Sequence, residues 1–183
     1  RFRPKQIRLR AELSALAGHW RDPKRAGLFL LAFLLMGTFV SLYNFLGFRL
    51  SAAPFGLPQT VVGLVFVAYL AGTWASAWAG AAASRYGRRP VLLGSVAVMG
   101  IGVVITLSHN LFAVLAGLLV ATAGFFGAHA TASGWTGQLA TVGKAQAGSL
   151  YNLAYYAGSS VIGWVGCIAF DAAGCRRVRR AAS

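Results

Sequence analysis

Hydrophobic residues in this chain gather into five long runs, 26–48, 60–83, 91–107, 111–132 and 149–170, and polar and charged residues collect between them. At about 1.5 Å of rise per helical residue, each run crosses or nearly crosses a hydrocarbon core of about 30 Å. The pattern predicts an all-α membrane protein with five transmembrane helices over 26–171. A basic segment, 1–25, precedes them and a basic tail, 172–183, follows.

Polar residues inside the runs are few and grouped. Thr38, Ser41, Tyr43 and Asn44 lie toward the far end of the first run. Polar groups buried in hydrocarbon are costly unless hydrogen-bonded, so these face other helices or a water-filled cavity. For Tyr43 a place in the interfacial aromatic belt is an equal reading. The fifth run carries two polar stripes at helical spacing, Tyr151, Tyr155 and Ser159 on one and Asn152, Tyr156 and Ser160 on the next. So polar a face on a membrane helix reads as the lining of a pathway, to which Tyr69 of the second run is added. Small residues mark packing instead. Ala68, Gly72, Ser76 and Gly80 recur every fourth residue, and Gly94, Gly100, Gly102, Gly158 and Gly163 are read as similar points of close backbone approach.

His129, near the inner end of the fourth run, is the one His, Lys, Arg, Asp or Glu within any of the five runs. It reads either as a functional group or as a neutral imidazole bonded to a neighbouring helix. Ser133 shares its helix face, yet no acidic residue is near to complete a hydrolytic triad, so an enzyme is not expected. The segment 134–148 is read as a polar inner loop, 49–59 as the outer loop, and Ser108-His109-Asn110 as a tight outer turn.

Composition agrees with a membrane setting: 57% of residues are hydrophobic and 11% charged, against about 25% charged in soluble domains. The net charge of +14 sits at the ends and in the loops, which serves topology and lipid contact rather than nucleic-acid binding. Residues 1–25 pair that charge with Leu9, Leu13, Leu16, Ala17 and Trp20 at helical spacing. This reads as an amphipathic surface helix or, equally, a disordered basic linker. Cys167 and Cys175 stand about 12 Å apart along a continuing helix, too far for a disulfide, and neither a metal nor a cofactor is expected.

The loop between the second and third runs is Gly80-Ala-Ala-Ala-Ser84-Arg85-Tyr-Gly87-Arg88-Arg89-Pro90. Its dense arginine places it, with the N-terminus, on the cytoplasmic side. It resembles the G-x-x-x-D-R-x-G-R-R signature between the second and third helices of each half of major facilitator superfamily transporters. Gly80, Arg85, Gly87, Arg88 and Arg89 match, and Ser84 stands where the family has an acid, which removes the charge of any gating lock built there.

The resemblance then lengthens. Tyr43-Asn44-x-x-Gly47-Phe48-Arg49-Leu50, Pro54-Phe55-Gly56-Leu57, Phe126-Gly127-Ala128-His129-Ala130, and Lys144-Ala-Gln146-Ala-x-x-Leu150-Tyr151 through Tyr155-Tyr156-x-Gly158-Ser159-Ser160 look like the second half of YnfM-type inner-membrane transporters, often labelled arabinose efflux permeases. The resemblance implies helices seven to eleven of a twelve-helix carrier in the bacterial inner membrane, exporting a small molecule, of the sugar or drug class, against protons. Its implied partners are the lipid bilayer and a preceding six-helix half. Tyr43, Asn44, His129, Tyr151, Asn152 and Tyr155 fall on helices that line the cavity in the family. A basic stretch, Arg176 to Arg180, stands where a twelfth helix is expected, so a truncated or frameshifted reading frame is expected. The alternative is a stand-alone five-helix interaction protein without transport of its own.

Overall fold

The computed structural model describes residues 22–141 and 143–181, without side-chain detail at Leu64, Cys167 and 169–181. The amphipathic reading of 1–25 therefore falls almost wholly outside the described residues.

Helix α1 (Pro23–Ser51) begins at a cap written into the sequence. Asp22 accepts the Lys24 N–H at 3.0 Å and the Arg25 Nε–H at 2.8 Å, and Pro23 sits where a missing N–H costs no hydrogen bond. The Arg25 hydrogen bond also holds the Asp22 carboxyl below the usual carboxylate range. The helix ends as the Ala52 N–H reaches Phe48 O at 3.1 Å, and the turn that follows contains Pro54 and Pro58.

The second run is not one uniform helix. A short α2 (Gln59–Gly63) passes through a 3-10 turn, Leu64–Ala68, into α3 (Tyr69–Tyr86). Gly63, Val61, Val62, Val65 and Val67 explain the tightening, because glycine and β-branched residues are weak α-formers.

The loop expected over 80–90 is far shorter than its sequence suggested. Helix α3 persists to Tyr86 and α4 (Arg88–Ile105) starts at Arg88, so Gly87 alone joins them at φ 89° and ψ 156°. A side chain there would be strained. Asn110 then caps α5 (Leu111–Leu139), accepting the Phe112 and Ala113 N–H groups at 2.9 and 3.3 Å.

The inner loop expected at 134–148 also shrinks. Helix α5 continues to Leu139 because Thr136 is fully buried and donates to Ala132 O at 2.9 Å, while Trp135 and Leu139 pack on the core. Helix α6 (Lys144–Ala181) then runs without a break into the residues read as a tail. Four segments, Pro23–Ser51, Gln59–Tyr86, Arg88–Ile105 and Leu111–Leu139, are long and apolar enough to cross a membrane by length and composition, and α6 adds a fifth long helix. No strand occurs among the described residues.

Helix α5 lies at the centre, with α3 and α4 on one side and α1, backed by α6, on the other. Between lipid-embedded helices there is little hydrophobic drive, so close backbone approach supplies much of the packing. At α4–α5 a Cβ on Gly102 would stand 2.2 Å from Ala121 N, and one on Gly124 would stand 2.3 Å from Met99 N. At α1–α6 a Cβ on Gly158 would stand 2.0 Å from Phe33 O, and Gly163 faces Val40.

The stripe of small residues on the second run is only half a packing face. Ala68 and Gly72 are buried and Ser76 donates weakly to Phe126 O at 3.5 Å, but Gly80 is exposed, with nothing within 4 Å of a Cβ. A repeat of four drifts about 40° per step around an α-helix, so the buried line passes instead through Gly72, Ala75, Ala79 and Ala82. Gly94 and Gly100, expected as contact points beside Gly102, likewise meet nothing within 4 Å.

Candidate functional site

Aromatic rings join four helices into one column. Phe39 of α1 stacks on Phe125 of α5 at 3.9 Å between centroids, inclined by 10°. From Phe39 the contacts run to Tyr43 at 4.8 Å and Tyr69 at 5.7 Å, and from Phe125 to His129 at 6.0 Å. Tyr155 of α6 closes the far end on His129 at 4.8 Å. Helical spacing makes this possible: Phe39 and Tyr43, Phe125 and His129, and Tyr151 and Tyr155 are each four residues apart on one face.

Two polar links sit within the column. Tyr43 and Thr122 hydroxyls meet at 2.9 Å, buried between α1 and α5. At the other end the Tyr151 hydroxyl lies 3.2 Å from His129 Nδ1 and 3.4 Å from the His129 carbonyl oxygen. One phenol carries one proton. Both contacts are two-centre hydrogen bonds at once when Nδ1–H donates to the phenol oxygen and the phenol O–H donates to the carbonyl; in that tautomer Nε2 is the position where a further proton is gained or lost.

The structure brings together Tyr43, Tyr69, His129, Tyr151 and Tyr155 of the expected pathway residues. It does not bring Asn44 and Asn152 with them, for both are exposed on outward faces of α1 and α6. The two stripes of the fifth run thus part company: Tyr151 and Tyr155 turn inward, while Asn152, Tyr156 and Ser160 are exposed. At the arginine loop, Ser84 donates to Gly80 O at 3.2 Å, Arg85 lies over the Tyr86 ring at 5.2 Å, Arg88 is half-buried and Arg89 exposed.

Sequence reasoning missed four participants. Thr122, Phe39 and Phe125 were not singled out. The fourth is Arg49, read only as part of a motif and a loop. Its guanidinium donates to the Thr106 carbonyl, to Ser108 O at 2.6 Å and to Leu107 O at 3.3 Å, capping the end of α4 from the end of α1. A cation there meets the negative end of the helix dipole. The signal was available, since Arg49 is the lone Lys or Arg between Arg25 and Arg85.

Comparison with known proteins places this bundle among carriers. Over 165 residues the chain is 47% identical to the "Inner membrane transport protein YnfM" of Escherichia coli (strain K12), covering 90% of this chain and 40% of that protein. The "Uncharacterized MFS-type transporter YybF" of Bacillus subtilis (strain 168) is 37% identical over 165 residues, 90% of this chain and 41% of its own. The chain belongs to the major facilitator superfamily. An "Uncharacterized transporter" of Buchnera aphidicola (subsp. Baizongia pistaciae) is 39% identical over 144 residues, 79% of this chain and 36% of that one. The chain thus spans about 40% of the length of these superfamily relatives, which are named as transporters and not as enzymes. No family model matches the chain, and no solved structure matches it.

Proposed function

We propose that this chain acts as the second half of a proton-coupled exporter of small molecules in a bacterial inner membrane, with the N-terminus and the Gly80–Arg89 loop in the cytoplasm. Its partner is a preceding six-helix half, against which α1, α5 and α6 rock around a site near the bilayer midplane. The observation that carries this reading is the His129–Tyr151 pair at one end of the aromatic column. The chain has three acids, Glu12, Asp22 and Asp171, and none lies between α1 and the end of the last run. A proton carried at membrane depth therefore falls to His129, with Tyr151 fixing its tautomer and leaving Nε2 to exchange. Tyr43, Tyr69 and Tyr155 supply ring faces and hydroxyls for the substrate, and the exposed Asn44 and Asn152 face the opposing half. Arg85, Gly87, Arg88 and Arg89, with Gly80 and Ser84, form the loop that moves with the gate.

Reconstitution of the twelve-helix carrier that contains this half, in liposomes with an imposed pH gradient, provides the test. His129→Gln abolishes gradient-driven uptake of substrate while leaving substrate binding in place, and Tyr151→Phe shifts the pH dependence without abolishing transport. An unchanged pH profile in both variants would sink the proton role. The chain reconstituted alone gives no uptake, since its pathway face meets lipid.

A further inference from the structure

On the side of the bundle away from the aromatic column, α3, α4 and α5 leave an open groove of about 460 Å³. Its walls are apolar and include Trp74, Trp78, Tyr86, Pro90, Gly94 and Val98. Trp74 and Trp78 are 71% and 59% exposed, so the groove lies open to whatever surrounds the bundle. From Trp74 to Tyr86 the helix rises about 18 Å, close to the roughly 15 Å of one leaflet's hydrocarbon.

The groove ends at the arginine turn. Arg85 lies over the ring of Tyr86, itself a groove wall, at 5.2 Å, and Arg89 is exposed three residues beyond. No Asp or Glu occurs between Asp22 and Asp171, so no carboxylate on these helices neutralises the two arginines. Ser84 beside them turns its hydroxyl to Gly80 O at 3.2 Å. An apolar slot one leaflet deep, with two arginines beside its polar end that have no carboxylate partner among the described residues, has the form of a lipid with a negative headgroup.

We propose that this groove binds one anionic phospholipid, an acyl chain lying between Trp74, Trp78 and Val98 and the phosphate held by Arg85 and Arg89. Arginine suits the headgroup because its planar fork offers paired donors to phosphate oxygens. The pair favours anionic over zwitterionic lipid by on the order of tenfold. The site is independent of the transport reading, since it uses neither His129 nor the aromatic column.

The experiment uses the 183-residue chain with Trp20, Trp135 and Trp164 replaced by Phe, so that emission comes from Trp74 and Trp78. It is placed in phosphatidylcholine vesicles carrying a minor fraction of brominated phosphatidylglycerol or, in a parallel series, of brominated phosphatidylcholine. Brominated phosphatidylglycerol quenches at about a tenth of the fraction that brominated phosphatidylcholine needs. Arg85→Gln with Arg89→Gln removes that preference. Gly94→Phe lowers quenching by both lipids, because a side chain there enters the groove and meets nothing else within 4 Å at its Cβ. Native mass spectrometry of the unsubstituted chain shows one retained phosphatidylglycerol, lost in the double arginine variant. Equal quenching by the two lipids, meaning ordinary lipid contact only, overturns the proposal. So does a preference that survives loss of both arginines, or quenching that disappears as the chain dimerises over the groove.

Discussion

The two faces of α5 are built on opposite principles. Toward α4 it offers Gly117 and Gly124, and main chains touch with no room for a methyl group. Toward α1 and α6 it offers Phe125 and His129, and large rings hold the helices apart. Backbone contact is rigid because neither partner has a rotamer to change. Ring contact keeps side chains that swing, slide and carry polar atoms. A helix with one face of each kind fixes α4 as a strut and leaves α1 and α6 as the elements able to shift.

Replacement of Gly102 by Leu tests the rigid face hardest. The new side chain drives into the main chain at Ala121, and the expected loss is about 3 kcal/mol or more. Denaturant titration in detergent micelles is the measurement. A variant as stable as the parent would show that α4 and α5 move apart freely, and the contrast would fail.

On the ring face the effects are smaller. Tyr43→Phe and Thr122→Val each cost about 1 kcal/mol, while the double variant costs little more than either alone, since the buried pair at 2.9 Å is lost once. A double-mutant cycle giving no coupling would mean that the two hydroxyls find other partners.

The smallest change sharpens the contrast from outside it. Gly100 belongs to the same helix as Gly102 but meets nothing within 4 Å. Gly100→Ala therefore gains stability, by about 0.5–1 kcal/mol, through helix propensity alone. A loss of that size in the same titration would reveal a contact on that side of α4.

Much of this was legible in the sequence. The runs announced helices because a bilayer demands continuous apolar stretches, and the turn ending at Asn110 announced where one of them starts. Helix ends inside the bundle were less legible. Thr136 extends α5 because it is buried by neighbours that no local pattern names, and the 3-10 turn at Leu64–Ala68 interrupts a run whose hydropathy is uniform. Glycine roles were readable only by rotation angle: Gly102 and Gly100 look alike in sequence and lie some 160° apart on the helix. Of the expected site, the tyrosines and His129 share a region because their helices pack, whereas Asn44 and Asn152 occupy the next face of each helix. Arg49 needed the far end of α4 to show its purpose.

Gly87 carries a consequence for insertions and deletions. The helices it joins are each 18 residues long, and a hinge pin of one residue gives them no slack. A residue removed within α4 turns everything beyond it by about 100° and draws it back by about 1.5 Å. Gly102 would then leave Ala121, and the carbonyls at 106–108 would leave Arg49. Changes of length are tolerated instead at 52–54, where the turn is exposed, ahead of Phe55 and Leu57, which pack on the core. The α3–α4 pair behaves as a folding rule whose arms were cut to match, so that its length is inherited whole or not at all.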